Sequence, residues 1–166
     1  SVTRNTFFRF FQSMPSESLK IYDINLRLHY FSKDIIEQSL HVADILKIND
    51  EELDTLSDLI HIGGDETERC EQLRDMFSLN MVILTKGTNG SRIVSASCNS
   101  FLPTPQVKVE DTVGAGDAFT AAFIATYLNC ESIETAHRYA VNIAADICTQ
   151  KGGMPPYDYS NLTLNL

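Results

Sequence analysis

Asp111-Thr112-Val113-Gly114-Ala115-Gly116-Asp117-Ala118-Phe119 is a polar, glycine-rich turn that runs directly into an apolar, alanine-rich run ending near Asn129. In that run Phe119, Ala122, Phe123, Thr126 and Tyr127 recur at i, i+3, i+4, i+7 and i+8, one face of a helix. Gly114 to Asp117 should therefore form the entrance to that helix. The first turn of a helix carries backbone N–H groups without intrahelical partners, and the helix dipole adds partial positive charge there. Gly114, Ala115 and Gly116 have little or no side chain, so a bulky anion can approach those groups closely. The stretch reads as a cradle for phosphate. A carboxylate inside it, Asp117, would repel a resting phosphate but could accept a proton from a hydroxyl about to attack one. A plainer reading stays open, because Gly-x-Gly before a helix is common and an Asp at a helix start can be only a cap.

Two other phosphate motifs are excluded. Phe119 occupies the third glycine position of the dinucleotide fingerprint Gly-x-Gly-x-x-Gly, which disfavours a dinucleotide-dependent oxidoreductase. No Gly-x-x-x-x-Gly-Lys-Ser/Thr loop occurs in the chain.

Outward from that turn, strands and helices alternate. Ser1 to Met14 reads as a helix closed by Pro15, with Thr3 or Asn5 as caps and Phe7, Phe8 and Phe11 as core. Lys20 to Asn25 reads as a strand, Ser32 as the cap of a helix through Val42, and Asp44 to Ile48 as a second strand. Asn49 with Glu52 three residues later has the form of a capping box. Gly63-Gly64 breaks the chain before a charged helix over Asp65 to Phe77. Asn80 to Thr85 is the most hydrophobic strand and should be central. Gly87-Thr88-Asn89-Gly90 reads as a hairpin turn, Ser91 to Ser97 as an antiparallel strand and Phe101 to Val109 as extended chain. A last helix spans Ser132 to about Gln150, with Ile133, Ala136, Ala140, Ile143, Ala144 and Ile147 on one face. Gly152-Gly153 ends it, and the final ten residues should trail along the surface.

This order predicts a single α/β domain over residues 1–166 with a mainly parallel sheet. Ligands in such sheets bind beyond the carboxyl ends of strands. Asn25 and Arg27, Asn49 and Glu52, and Thr85 to Gly90 all follow strands, so they become candidates for the same rim as Gly114 to Asp117. Each has a second reading: Arg27 as a surface partner of an acid, Asn49 and Glu52 as a cap, Thr85 to Gly90 as a plain hairpin.

Composition bounds the function. A chain of 166 residues with 43% hydrophobic residues can build a core. A net charge of −9 argues against a nucleic-acid partner. Cys70, Cys98, Cys130 and Cys148 form no Cys-x-x-Cys pair and read as reduced thiols of a cytoplasmic protein. No run is apolar and long enough for a membrane span, and no basic-then-apolar leader is present. His29, His41, His61 and His137 lack metal-ligand spacing and read as structural or surface residues.

Asp-Thr-x-Gly-Ala-Gly-Asp-x-Phe over Asp111 to Phe119 resembles the second signature of the PfkB carbohydrate kinases, the ribokinase-like sugar kinases. The resemblance extends from about Lys20 to Pro156 and corresponds to the carboxyl-terminal half of the family's usual length. It implies a ribokinase-like, Rossmann-like sheet without the amino-terminal half and its small β lid. It assigns the catalytic base to Asp117 and the anion hole to the backbone of Gly114, Ala115 and Gly116. Asp23-x-Asn25-x-Arg27 is similar to fructokinases and 2-keto-3-deoxygluconate kinases, where this motif borders the sugar. Asn49-x-x-Glu52 resembles the motif that helps place Mg2+ through water and phosphate. Thr85-x-Gly87-x-x-Gly90 resembles the turn beside the nucleotide phosphates. Asn142 is carried over as a residue near the adenine, with solvent exposure as its other reading. Asp111 and Thr112 match positions of a monovalent cation site, with K+ as the candidate, although the loop after Gly152 departs from the usual pattern.

The resemblance thus implies an ATP- and Mg2+-dependent kinase acting on a small-molecule sugar, with a homo-oligomer as a candidate state. Fructose is the favoured substrate, with 2-keto-3-deoxygluconate, ribose and a nucleoside as alternatives. A reading from a different class is a non-catalytic nucleotide-binding or assembly fragment of such a kinase.

Overall fold

The structure, a computed structural model, describes residues 2–28, 30–130 and 132–153, the side chain of Cys130 excepted. The tail expected along the surface lies outside them. The chain forms two compact units, Ser1–Val82 and Ile83–Leu166.

The first unit contains α1 (Val2–Gln12), β1 (Ile21–Asp23), α2 (Lys33–Leu40), β2 (Ile45–Asn49), α3 (Asp50–Ile60), α4 (Glu66–Phe77) and the start of β3 (Met81–Thr85). β1 pairs parallel to β2 with Ile21 opposite Ile45. Ile24, Ile36, Leu40, Leu46, Ile48, Leu53, Leu56 and Leu73 make its fully buried core. Lys47 interrupts the apolar run of β2 yet is only 8% exposed. Its ammonium lies 3.0 Å from the Asp23 carboxylate on the neighbouring strand, which offsets the cost of burying the charge.

Side chains cap three of these helices as the sequence predicts or nearly so. Ser32 accepts from the Ile35 N–H, and Asn49 and Asp65 each form a reciprocal capping box with Glu52 and Glu68. α1 departs from expectation. It begins at Val2, so Thr3 and Asn5 lie inside it rather than capping it, and it buries none of its residues. Phe7 is 52% and Phe10 64% exposed, and the phenylalanines pack on one another, Phe7 against Phe11 at 4.5 Å. An apolar spacing marks a face, but it does not supply the surface that would cover it.

The second unit contains the end of β3, a 3₁₀ turn at Gly87–Asn89, β4 (Ser91–Ser95), β5 (Asn99–Leu102), α5 (Ala115–Cys130) and α6 (Ile133–Ile147). Strand order across the five-stranded mixed sheet is β1-β2-β3-β4-β5, so β3 is the middle strand as its hydrophobicity predicts. β4 and β5 are antiparallel, with Ser91 opposite Leu102.

The expected turn at Gly87–Gly90 does join the neighbouring strands β3 and β4; its local form is a 3₁₀ turn, closed by Lys86 N–H donating to Gly90 C=O at 2.9 Å. The chain expected as extended from Phe101 onward contributes only Phe101 and Leu102 to β5. Residues 103–109 are irregular, as Pro103 and Pro105 cannot donate to a ladder.

α5 buries Phe119, Phe123 and Thr126, the arc its periodicity predicts. α6 is capped by Ser132 and packs on α5, β4 and β5. Its buried arc comprises Ala136, His137, Ala140, Val141, Ala145 and Ile147, so it is rotated from the predicted face and includes a histidine.

Candidate active site

The segment before α5 is shaped by contacts distant in sequence. Asp111 accepts the Val113 N–H through Oδ1 and the Gly152 N–H through Oδ2, both at 3.0 Å. These donors hold its carboxyl below the usual carboxylate range. Gly114 sits at φ +83°, and a Cβ there would meet the Cα and carbonyl oxygen of Gly153 at 2.9 Å. Only glycine suits both the left-handed backbone and this close approach. Gly114→Ala is therefore expected to destabilise the fold by at least about 1 kcal/mol and to weaken anion binding at α5 more than the stability loss accounts for. Urea unfolding and phosphate titration together check it, and unchanged values in both would contradict this account of the turn.

With glycine immediately before α5, the residue at its start has no side chain to cap it, in contrast to Ser32, Asn49, Asp65 and Ser132 on α2, α3, α4 and α6. The Ala115 N–H donates weakly to the Thr112 carbonyl at 3.3 Å. Helix geometry leaves the N–H groups of the following residues, Gly116 and Asp117, for an outside acceptor. Asp117 lies in this first turn and is exposed.

Beside the turn is a cavity of about 480 Å³ within the second unit. One wall comes from Thr85, Gly87, Thr88, Gly90 and Ser91; another from Thr112, Ala115, Gly116 and Phe119. Val107 and Val109 of the irregular segment, with Val141, Ala144, Ala145 and Cys148 of α6, make an apolar side. A cavity with small polar groups and amides along one wall and aliphatic groups along another suits an amphipathic ligand with a charged end. Thr104 braces the wall: its hydroxyl accepts the Gly90 N–H at 3.1 Å and donates to the Gly87 carbonyl at 2.5 Å. Thr85, Gly87 and Gly90 are thereby brought to the same cavity as Ala115 and Gly116. Asn142 is exposed and does not line it; its neighbour Val141 does.

In the first unit the other candidates form a local cluster. Glu52 accepts from the Asn49 N–H at 3.0 Å and the Leu26 N–H at 3.1 Å, one through each oxygen. The capping reading therefore holds, and each oxygen keeps a lone pair for a water. Arg27 Nε donates to Asn25 Oδ1 at 3.0 Å, and both residues are exposed.

Of the two roles the sequence left open for His137, structural or surface, the structure gives it the first, at the centre of the second unit. His137 is fully buried, with Ser91 Oγ 2.7 Å from Nε2 and Ser100 Oγ 2.8 Å from Nδ1. Phe119 packs edge-on against the ring at 6.1 Å. Burial pushes its pKa down to about 4. Its only signal in the sequence was its place beside Ala136 on an otherwise apolar arc. Among the described residues, no group of three or more His, Cys, Asp or Glu could hold a metal ion, and no helix is long and apolar enough to cross a membrane. Cys70, Cys98 and Cys148 are not in disulfides.

A glycine-led helix start and a Thr-x-Gly turn thus border one cavity of the second unit. The chain belongs to the pfkB family of carbohydrate kinases, whose profile matches residues 5–158. It is 30% identical over 131 residues to a nucleoside kinase of Methanothermobacter thermautotrophicus, covering 79% of this chain and 40% of that protein. It is 28% identical over 148 residues to fructokinase-2 of Zea mays, covering 81% and 42%. Its fold is ribokinase-like: a fructokinase with bound ATP from Xylella fastidiosa superposes with a TM-score of 0.76 at 21% identity, over 90% of this chain and 52% of that one. The chain thus spans less than half the length of these relatives and about half of that structure.

Proposed function

We propose that this chain is the nucleotide-binding portion of an ATP-dependent sugar kinase. The observation that carries the reading is the cavity bordered by both the glycine-led start of α5 and the Thr85–Gly90 turn. ATP would place its base against the apolar side and its phosphates toward the amides of α5. Gly114, Ala115 and Gly116 form the anion hole of this reading, with the amides of Gly116 and Asp117 as its freest donors. Asp117 takes the proton of the attacking sugar hydroxyl. The hydroxyl oxygen forms a bond to the γ-phosphorus, the bond from that phosphorus to the β–γ bridging oxygen breaks, and ADP leaves.

Asn25 and Arg27 are assigned to the sugar, with fructose favoured over 2-keto-3-deoxygluconate, ribose or a nucleoside. Arg27 can donate to neutral hydroxyls as well as to a carboxylate. When bound, Mg2+ would supply neutralisation of phosphate charge, and Glu52 is the residue assigned to help hold it through a water. Asp111, kept ionised by its two amide donors, and Thr112 are the residues that would hold K+.

Titration calorimetry with MgATP, followed by an ADP-release assay over the four candidate sugars, tests the reading. Micromolar to millimolar ATP affinity with release on at least one sugar is the expected result. Absence of ATP binding would end it. ATP binding without turnover would favour the second reading, a non-catalytic nucleotide-binding or assembly module, which the uncovered phenylalanines of α1 also favour.

A further inference from the structure

We propose that Glu52 is a positioning residue for the sugar: besides closing the cap of α3, its carboxylate fastens the segment that presents Asn25 and Arg27. The inference rests on the assignment of Asn25 and Arg27 to the sugar.

The two capping boxes of the first unit supply the comparison. On α4, Glu68 accepts the Asp65 N–H at 2.9 Å through Oε2, and Glu68 is exposed. On α3, Glu52 accepts the Asn49 N–H at 3.0 Å through Oε2, yet Glu52 is only 8% exposed. A capping box needs one acceptor from its third residue and takes Glu or Gln there alike. Capping therefore accounts neither for the burial of Glu52 nor for the use of its second oxygen.

That oxygen goes to a distant part of the chain. Oε1 accepts the Leu26 N–H at 3.1 Å, 26 residues upstream. Leu26 stands between Asn25 and Arg27. Just before them, the Ile24 N–H donates to the Lys47 carbonyl at 3.1 Å, and the Ile24 side chain is buried. The Lys47 ammonium in turn holds the Asp23 carboxylate. The segment is thus tied to the body of the unit at Asp23, Ile24 and Leu26, while Asn25 and Arg27 are exposed. The bond from Arg27 Nε to Asn25 Oδ1 joins these two side chains to each other. Their place is therefore set by the backbone beneath them, and the Leu26 tie lies directly between the two.

A carboxylate can serve two backbone donors at once, because both of its oxygens accept. An amide cannot. One end accepts, and the other carries two hydrogens that would face whichever backbone N–H is left. Burial keeps water from replacing the lost acceptor. The pair of backbone donors thus requires an acid at position 52, independently of any metal ion.

Glu52→Gln and Glu68→Gln test the proposal. The second makes the same chemical change in a box whose glutamate ties down no distant segment among the described residues. The first readout is amide hydrogen exchange of the full chain without ligands. The Leu26 amide should be protected in wild type, exchange at least about tenfold faster in Glu52→Gln, and keep the wild-type rate in Glu68→Gln. The second readout is the sugar KM, measured at saturating MgATP with the sugar that wild type phosphorylates. Glu52→Gln should raise it about five- to tenfold, and Glu68→Gln should leave it unchanged. An unprotected Leu26 amide in wild type overturns the proposal and needs no variant. A fall in kcat at unchanged sugar KM in Glu52→Gln also overturns it, leaving that residue only a metal role. Equal effects of the two substitutions would reduce the role to helix capping and overturn it as well. If wild type phosphorylates no sugar, the assignment of Asn25 and Arg27 falls and the proposal with it; a protected Leu26 amide would then show Glu52 to be an anchor of the fold alone.

Discussion

Asp117→Asn is expected to lower sugar-dependent ADP release by about 10²–10⁴-fold, while the dissociation constant for MgATP stays within about twofold of wild type. The amide is nearly isosteric with the carboxylate but cannot accept the proton of the attacking hydroxyl. In the proposed reading, ground-state nucleotide binding depends on backbone donors of the same turn, which the substitution leaves in place. Binding could even tighten slightly, since a negative charge beside the phosphates is removed. The cost to the fold is small, because Asp117 is exposed and contributes a favourable helix-dipole interaction of about 0.3–1 kcal/mol. Initial rates with a saturating sugar, together with calorimetry on the same preparation, check both halves. Turnover near that of wild type would remove Asp117 from the base role, whatever happens to binding.

Acidification should destabilise the protein through His137. Its pKa is about 4 in the fold against 6.5 for the free side chain. Between these values the unfolded chain takes up a proton that the folded protein does not. The stability contribution is therefore complete above pH 6.5 and is lost as pH falls toward 4. The shift corresponds to about 3 kcal/mol, a large share of the 5–15 kcal/mol typical of a domain. Asp111 and Glu134 have lowered pKa values, so their contributions disappear at more acidic pH, near and below their unfolded values. Urea midpoints at pH 7, 5.5 and 4.5 would show the decline, and His137→Gln should flatten it over that interval. Parallel declines in wild type and variant would assign the acid sensitivity elsewhere.

The elements that were legible in the sequence are those built by neighbours. The Asn49–Glu52 box closes over three residues, so its two partners can be read off one short stretch. The Ser32 and Ser132 caps act over the same span. β3 is apolar from Met81 to Leu84, a run that marks it as buried whatever its place in the strand order. The start of α5 was visible because glycines and an acid precede a strong helical period. α1 was misjudged for a related reason. Its aromatic spacing was read correctly as a helix, but its burial required a covering surface that local pattern does not specify.

The sequence by itself determined the alternation of strands and helices, the membership in a kinase family through Asp111 to Phe119, and the turn presenting Gly116 and Asp117. Helix period, cap chemistry and glycine freedom act within a few residues, so their outcome is written locally. Only the tertiary structure decided how that turn is held. Gly153 must come close enough to Gly114 to forbid a side chain, and Asp111 must reach the Gly152 amide 41 residues away. It also decided that His137 would sit between Ser91 and Ser100, partners 46 and 37 residues distant, and that Val141 rather than Asn142 would face the cavity. These choices depend on which faces meet when the unit packs. The rotation of α6 about its axis is set by the volumes and hydrogen-bonding groups of α5, β4 and β5, not by the order of residues along α6 alone.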